Sequence, residues 1–179
     1  MRTTLRNLPV TWPLAICLLL PALTHAETVV QVWAQRYNGL ENGISLAKAI
    51  AVDGSNNVVV TGYSSGNGSD YDYATIKYSA AGMPLWTNRY NGPGNTNDQA
   101  TAVAVDSKGD VVVTGYSTGN AHTPYPYPFA DYATIKYSSA GVPLWTNRYH
   151  GPGNGDDGGT AVVVDGSNNV IVTGYSTIG

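Results

Sequence analysis

Cysteine is almost absent from this chain: Cys17 is the single one in 179 residues. No internal disulfide framework is possible, and neither is a cysteine-rich metal site. Charge is scarce as well, at 12% of residues, with nine Lys and Arg against twelve Asp and Glu and no basic cluster. Such a surface repels nucleic acid rather than collecting it. There is one phenylalanine, Phe129, and there are three histidines. No zinc-binding motif or phosphate loop occurs. Helical periodicity is missing too.

One long apolar run exists, from Leu8 to Leu20, and Pro9 and Pro13 interrupt it. Arg2 and Arg6 precede it, Pro21 follows, and Thr24-His25-Ala26 places small residues where a signal peptidase reads. This is the three-part anatomy of a secretory signal peptide over residues 1–26, with cleavage expected after Ala26. A spanning helix needs about 20 apolar residues, so no membrane span is expected. Ile16 before Cys17 lacks the small side chain of a lipobox. Loss of Cys17, Arg2 and Arg6 leaves seven basic and twelve acidic residues, a net charge of −5. Residues 27–179 then read as a secreted or cell-surface chain rich in Gly, Asn, Ser, Thr and Tyr.

What the mature region has is repetition. Asp72–Asn95 and Asp131–Asn154 differ at three of 24 positions: Ala80/Ser139, Met83/Val142 and Asn91/His150. VTGYS occurs three times, at Val60–Ser64, Val113–Ser117 and Val172–Ser176. Trp33, Trp86 and Trp145 stand 53 and 59 residues apart. Each period reads as four short strands. PLWTNRY is closed by a Gly-Pro-Gly-Asn cluster. ATAVAVD turns through Ser107-Lys108-Gly109-Asp110 into VVVTGYS, and YATIKYS follows a variable loop. Asp53, Asp106 and Asp165 open the tight turns and can accept hydrogen bonds from the backbone two residues on. Asn57, Gly109 and Asn169 are expected in the left-handed conformation that closes them. Continuous apolar strands suit sheets sandwiched between neighbours. The expected fold is all-β, with β-propeller blades of four antiparallel strands. The blades span about 47–90, 100–149 and, in part, 160–179, and a strand over 31–37 could serve in closure.

The phrases AVDxxGxVVVTGYS and DYATIKYSxAGxPLW resemble the SBBP-type β-propeller repeat of secreted and cell-surface bacterial proteins. The Val-Asp-x-x-Gly-x-Val-x-Val turn is also similar to NHL-type repeats. The resemblance runs from about Trp33 to Ser176. It implies a propeller fold and export, and it brings no common catalytic residues. The first copy departs from the pattern, with Leu40-Glu41-Asn42-Gly43 in place of Pro-Gly-Asn and Ser45 in place of Asp98 and Asp157. Counting gives eleven strands, fewer than the roughly four blades of four that a closed propeller needs. The remaining blades are expected from the rest of a longer chain, with assembly of several copies as the alternative.

Two sets of residues are candidates for binding. The loop Thr118–Ala130 has thirteen residues against seven in the preceding copy. Its core alternates proline with aromatics, which makes it extended and stiff, and His122, Tyr125, Tyr127 and Phe129 are its ligand-contact candidates. The plainer reading is a tolerated insertion covering the neighbouring blade. Asp70, Asp72, Asp98, Asp156 and Asp157 offer oxygens suited to calcium, although turn formation explains them equally well. The recurring Trp, Lys and Arg residues are expected in packing and structural ion pairs. The functional expectation is a noncatalytic scaffold without a cofactor, binding polysaccharide or protein at the bacterial cell surface. The alternatives are a carbohydrate-active or quinone-dependent propeller enzyme with its active site further along the chain, and a purely structural surface module.

Overall fold

The computed structural model describes residues 30–40, 43–65, 70–119, 129–153 and 155–178. Ten strands and no helix occur among them, all within the unit Val32–Gly179. The first sheet holds β1 (Ser45–Val52), β2 (Val58–Ser65), β3 (Tyr71–Tyr78) and β4 (Pro84–Tyr90). The second holds β5 (Asp98–Val105), β6 (Val111–Thr118), β7 (Ala130–Tyr137) and β8 (Pro143–Tyr149). A third pairs β9 (Asp157–Val164) with β10 (Val170–Ser176). Within each sheet consecutive strands pair antiparallel, in the order of a propeller blade. The expected blades start two to three residues earlier than the sequence placed them.

The sheets stack face to face. β5 lies against β1, β2 and β3, and β9 lies against β5, β6 and β7. The middle sheet is therefore covered on both sides, and Val111, Val112 and Val113 of β6 are all 0% exposed. Burying each such side chain stabilises by roughly 1.5–3 kcal/mol. In β1 and β10 the same pattern leaves Ile50 and Ile171 exposed, at 67% and 47%. The arrangement among the described residues is open, with no pairing between the first and third sheets.

Repeated residues explain the repeated geometry. Each inner strand carries one extra residue, Lys48, Thr101 or Thr160, where the register shifts. The strand backbones approach so closely there that a Cβ on the VTGYS glycine Gly62 would lie 1.9 Å from the Leu46 carbonyl oxygen. No side chain fits, which is why Gly recurs in that phrase. The Ala-Gly turn before PLW has a second requirement. Gly141 has a φ of +84°, and a Cβ there would meet the Trp86 ring at 2.7 Å. Trp86 donates its indole N–H to the Ser139 carbonyl at 3.1 Å, and Trp33 repeats this on Ala80 at 3.1 Å. Each tryptophan thus seats on the glycine turn of the following sheet.

Two expectations are corrected. Residues 31–37 form no strand, so ten strands rather than eleven occur among the described residues. Trp33 and Tyr37 pack against Ala74, Ile76 and Tyr78, as Trp86 and Tyr90 pack on the next sheet, but no described strand offers the segment a ladder. The left-handed turn residues are Asn56, Gly109 and Asn168, not Asn57 and Asn169. Asn57 and Asn169 stand one place later and donate side-chain N–H groups to Asp53 and Asp165, at 2.9 and 2.8 Å.

Candidate functional site

Antiparallel order gathers two kinds of turn at opposite ends of the sheets. The β1–β2 and β3–β4 turns share one end. Here Asp53 and Asp106 accept backbone N–H bonds from Ser55 and Lys108, both at 2.8 Å. Lys77 pairs with Asp53 at 2.9 Å and Lys136 with Asp106 at 2.7 Å, both pairs largely buried. Burial alone would raise the Asp53 carboxyl. The Lys77 ammonium, the Asn57 side chain and the Asn57 and Ser55 amides instead hold it well below the ordinary carboxylate range. Lys77 also reaches the carbonyls of Gly109 and Ser139 in the second sheet, at 3.4 Å each. Lys77 and Lys136 are thus held in ion pairs, the pairing expected for cations that recur once per blade.

The other end collects the candidate residues. The β2–β3 and β4–β5 loops meet there, along with β6–β7 and β8–β9. Arg148 organises it from β8. It donates to Asp131 Oδ2 at 2.9 Å, to the Ser117 carbonyl at 2.9 Å, to Ser117 Oγ at 2.5 Å and to Tyr90 Oη at 3.2 Å. Arg89 repeats the scheme one blade earlier, with Asp72, Ser64, Ser65 and Tyr37. Bidentate-capable guanidinium groups suit such multi-acceptor posts. Asp98 and Asp157, both 0% exposed, each accept the amide of a preceding glycine, Gly92 or Gly151, at 2.6 Å. Burial pushes the Asp98 carboxyl up, against the opposing Gly92 amide and Ser117 hydroxyl.

The acids expected as calcium ligands separate under this geometry. Asp72 is taken by Arg89, Asp98 caps Gly92, and Asp156 accepts the Ala130 amide at 2.9 Å. Asp70 sits half-buried at the head of β3. Among the described residues the five do not converge into one oxygen-lined group. Asp157 instead meets Asp131 and His150, and the donor atoms of these three lie within 4.8 Å of one another. Asp131 and His150 were not among the expected binding residues. The signal was present in the sequence, because His150 is one of the three mismatches between otherwise identical copies.

Of the loop candidates, His122, Tyr125 and Tyr127 lie outside the described residues, as does the expected leader 1–26. Phe129 is described, and its carbonyl accepts the Gly119 amide at 3.1 Å, closing the base of the loop. Asp156 fixes the following residue, Ala130, which adjoins Asp131 at the start of β7. No helix among the described residues is long and apolar enough to cross a membrane.

Comparison with known proteins gives one informative relative. No protein-family model matches the chain. An uncharacterized WD repeat-containing protein of Acanthamoeba polyphaga mimivirus is 32% identical over 101 residues, covering 47% of this chain. The match spans only 7% of that protein's own length. WD repeats build four-stranded propeller blades, and the sheets seen here have that order. Together they support a generic β-propeller repeat and a scaffold for interaction.

Proposed function

We propose that the protein is an exported, noncatalytic repeat scaffold that binds polysaccharide at the bacterial cell surface. Its contacts lie on the end of the sheets that carries the loop 118–130. The observation that supports this most is the placement of that loop. The two described ends of the longest insertion in the repeat, at Gly119 and Phe129–Ala130, stand at an end braced by Arg148, Asp131 and Asp156. Binding residues concentrate on loops held by rigid scaffolds, and tyrosine and phenylalanine rings stack on sugars with little loss of side-chain freedom. Catalysis has no comparable support. Arg89 and Arg148 are committed to structural partners, Asp72 and Asp131 pair with them, and Asp98 and Asp156 accept backbone amides. The SBBP-type affiliation is part of the same reading and rests on the repeat phrases.

The test is affinity for the polysaccharide fraction of a bacterial envelope, measured with the wild-type chain and with a Tyr125→Ser/Tyr127→Ser variant. Wild type should bind saturably, and the variant should lose at least tenfold while keeping its melting temperature. Equal binding by both would refute the loop as the contact. Binding only to the protein fraction would replace the polysaccharide with a protein partner.

A further inference from the structure

The two junctions between successive sheets are built alike except at one chemically important place. Where the first has Asn91, the second has His150. Three elements bring donors together around it: Asp131 from β7, His150 from the loop after β8, and Asp157 from the start of β9. His150 Nδ1 lies 2.8 Å from Asp131 Oδ1 and 3.8 Å from Asp157 Oδ2. All three donor atoms fall within 4.8 Å of one another. These separations are close to those between neighbouring ligands of one small ion, since bonds to zinc are about 2.0–2.2 Å.

A second observation points the same way. Asp157 is 0% exposed, its Oδ2 lies 3.8 Å from His150 Nδ1, and its Oδ1 has no hydrogen-bond partner among the described residues, a condition Asp98 Oδ1 shares in the first junction, where no histidine stands. Its other oxygen accepts the Gly151 amide at 2.6 Å. A buried carboxylate with an unused oxygen is costly unless a cation compensates it. Arg148 is engaged on Asp131 Oδ2, which leaves Oδ1 turned toward His150 and orients that carboxylate as outer-shell partners orient metal ligands.

We propose that Asp131, His150 and Asp157 bind one divalent first-row transition ion, with zinc as the reference case. One imidazole nitrogen and two carboxylates form a mixed donor set that such ions prefer, whereas calcium takes oxygen alone. The His150 side chain is 52% exposed, so the ion enters from solvent at the loop end. Bound there, it joins β7, the β8–β9 loop and β9, and fastens the third sheet to the second. The proposal stands apart from polysaccharide binding, because its donors belong to the junction and not to the loop.

Calorimetric titration of the full chain with zinc chloride tests it, with cobalt absorption as a second readout. The expected result is one ion per chain, with affinity at least tenfold weaker in His150→Asn. That substitution installs the residue the preceding copy already carries, so the fold is retained. His122→Asn should bind like wild type. No saturable binding, equal binding by His150→Asn, or loss of binding in His122→Asn would each overturn the assignment.

Discussion

Replacing Lys77 by methionine should destabilise the chain far more than a surface charge change would. The Lys77 and Asp53 side chains are 3% and 5% exposed and 2.9 Å apart. Methionine keeps most of the length of the stem but leaves the Asp53 carboxylate buried without its cation. Breaking a buried pair from one side costs about 3–5 kcal/mol, against about 0–1 kcal/mol for exposed pairs. That is a large share of the roughly 5–15 kcal/mol that holds a domain folded. Urea unfolding of wild type, Lys77→Met, Asp53→Asn and the double variant measures the cost. The double variant should be more stable than the sum of the two single losses implies, because neither charge is then left alone. The acid limb adds an independent sign. Asp53 is held below its ordinary value in the folded state. Its contribution is therefore complete above about pH 4 and is lost as pH falls further. In Lys77→Met the Lys77 contribution that lowers the carboxyl is gone while the Asn57 and Ser55 bonds remain, so the variant's penalty shrinks in acid and the two stability curves converge. A loss under about 1 kcal/mol for Lys77→Met, or strictly additive singles, would refute the reasoning.

The tryptophan seat predicts that Gly141→Ala destabilises by about 1–3 kcal/mol, since alanine is strained at positive φ and its Cβ meets the Trp86 ring. A blue-to-red shift in tryptophan emission should accompany it, and an unchanged spectrum and melting point would contradict the seat. Asp98→Asn should leave stability at pH 7 unchanged or raise it. Burial lifts the Asp98 carboxyl, so its charged form is disfavoured in the fold at neutral pH, and that cost disappears as pH falls through its raised value. Thermal melts should therefore show the variant's advantage shrinking toward acid. An advantage that grows toward acid would reverse the argument.

Strand positions were legible in the sequence because blade strands are short, apolar and punctuated by turn residues. β4 and β8 coincide with PLWTNRY, and β2, β6 and β10 contain VTGYS. The turn acids Asp53, Asp106 and Asp165 behave as their spacing implied. The residue in the left-handed conformation was misplaced by one in two of the three turns. Two consecutive asparagines stand there, and only the backbone decides which turns left and which caps the aspartate. The segment 31–37 resembles a strand in composition, but strand character requires a partner, which composition does not supply. The Asp131, His150 and Asp157 group was harder still. Its members come from three elements, and only the stacking of the third sheet on the second brings them together. The substitution of Asn91 by His150 was the sole mark it left on the repeat.

The central claim is that this chain recognises its ligand through the end bearing the loop 118–130, and its most direct test is backbone NMR of the full chain titrated with envelope polysaccharide. The account predicts perturbed resonances confined to the loop and its supports, including Ser117, Asp131, Arg148 and Asp156, with the Asp53, Asp106 and Asp165 turns unmoved. Perturbation centred on those three turns, or none at saturating polysaccharide, would contradict it.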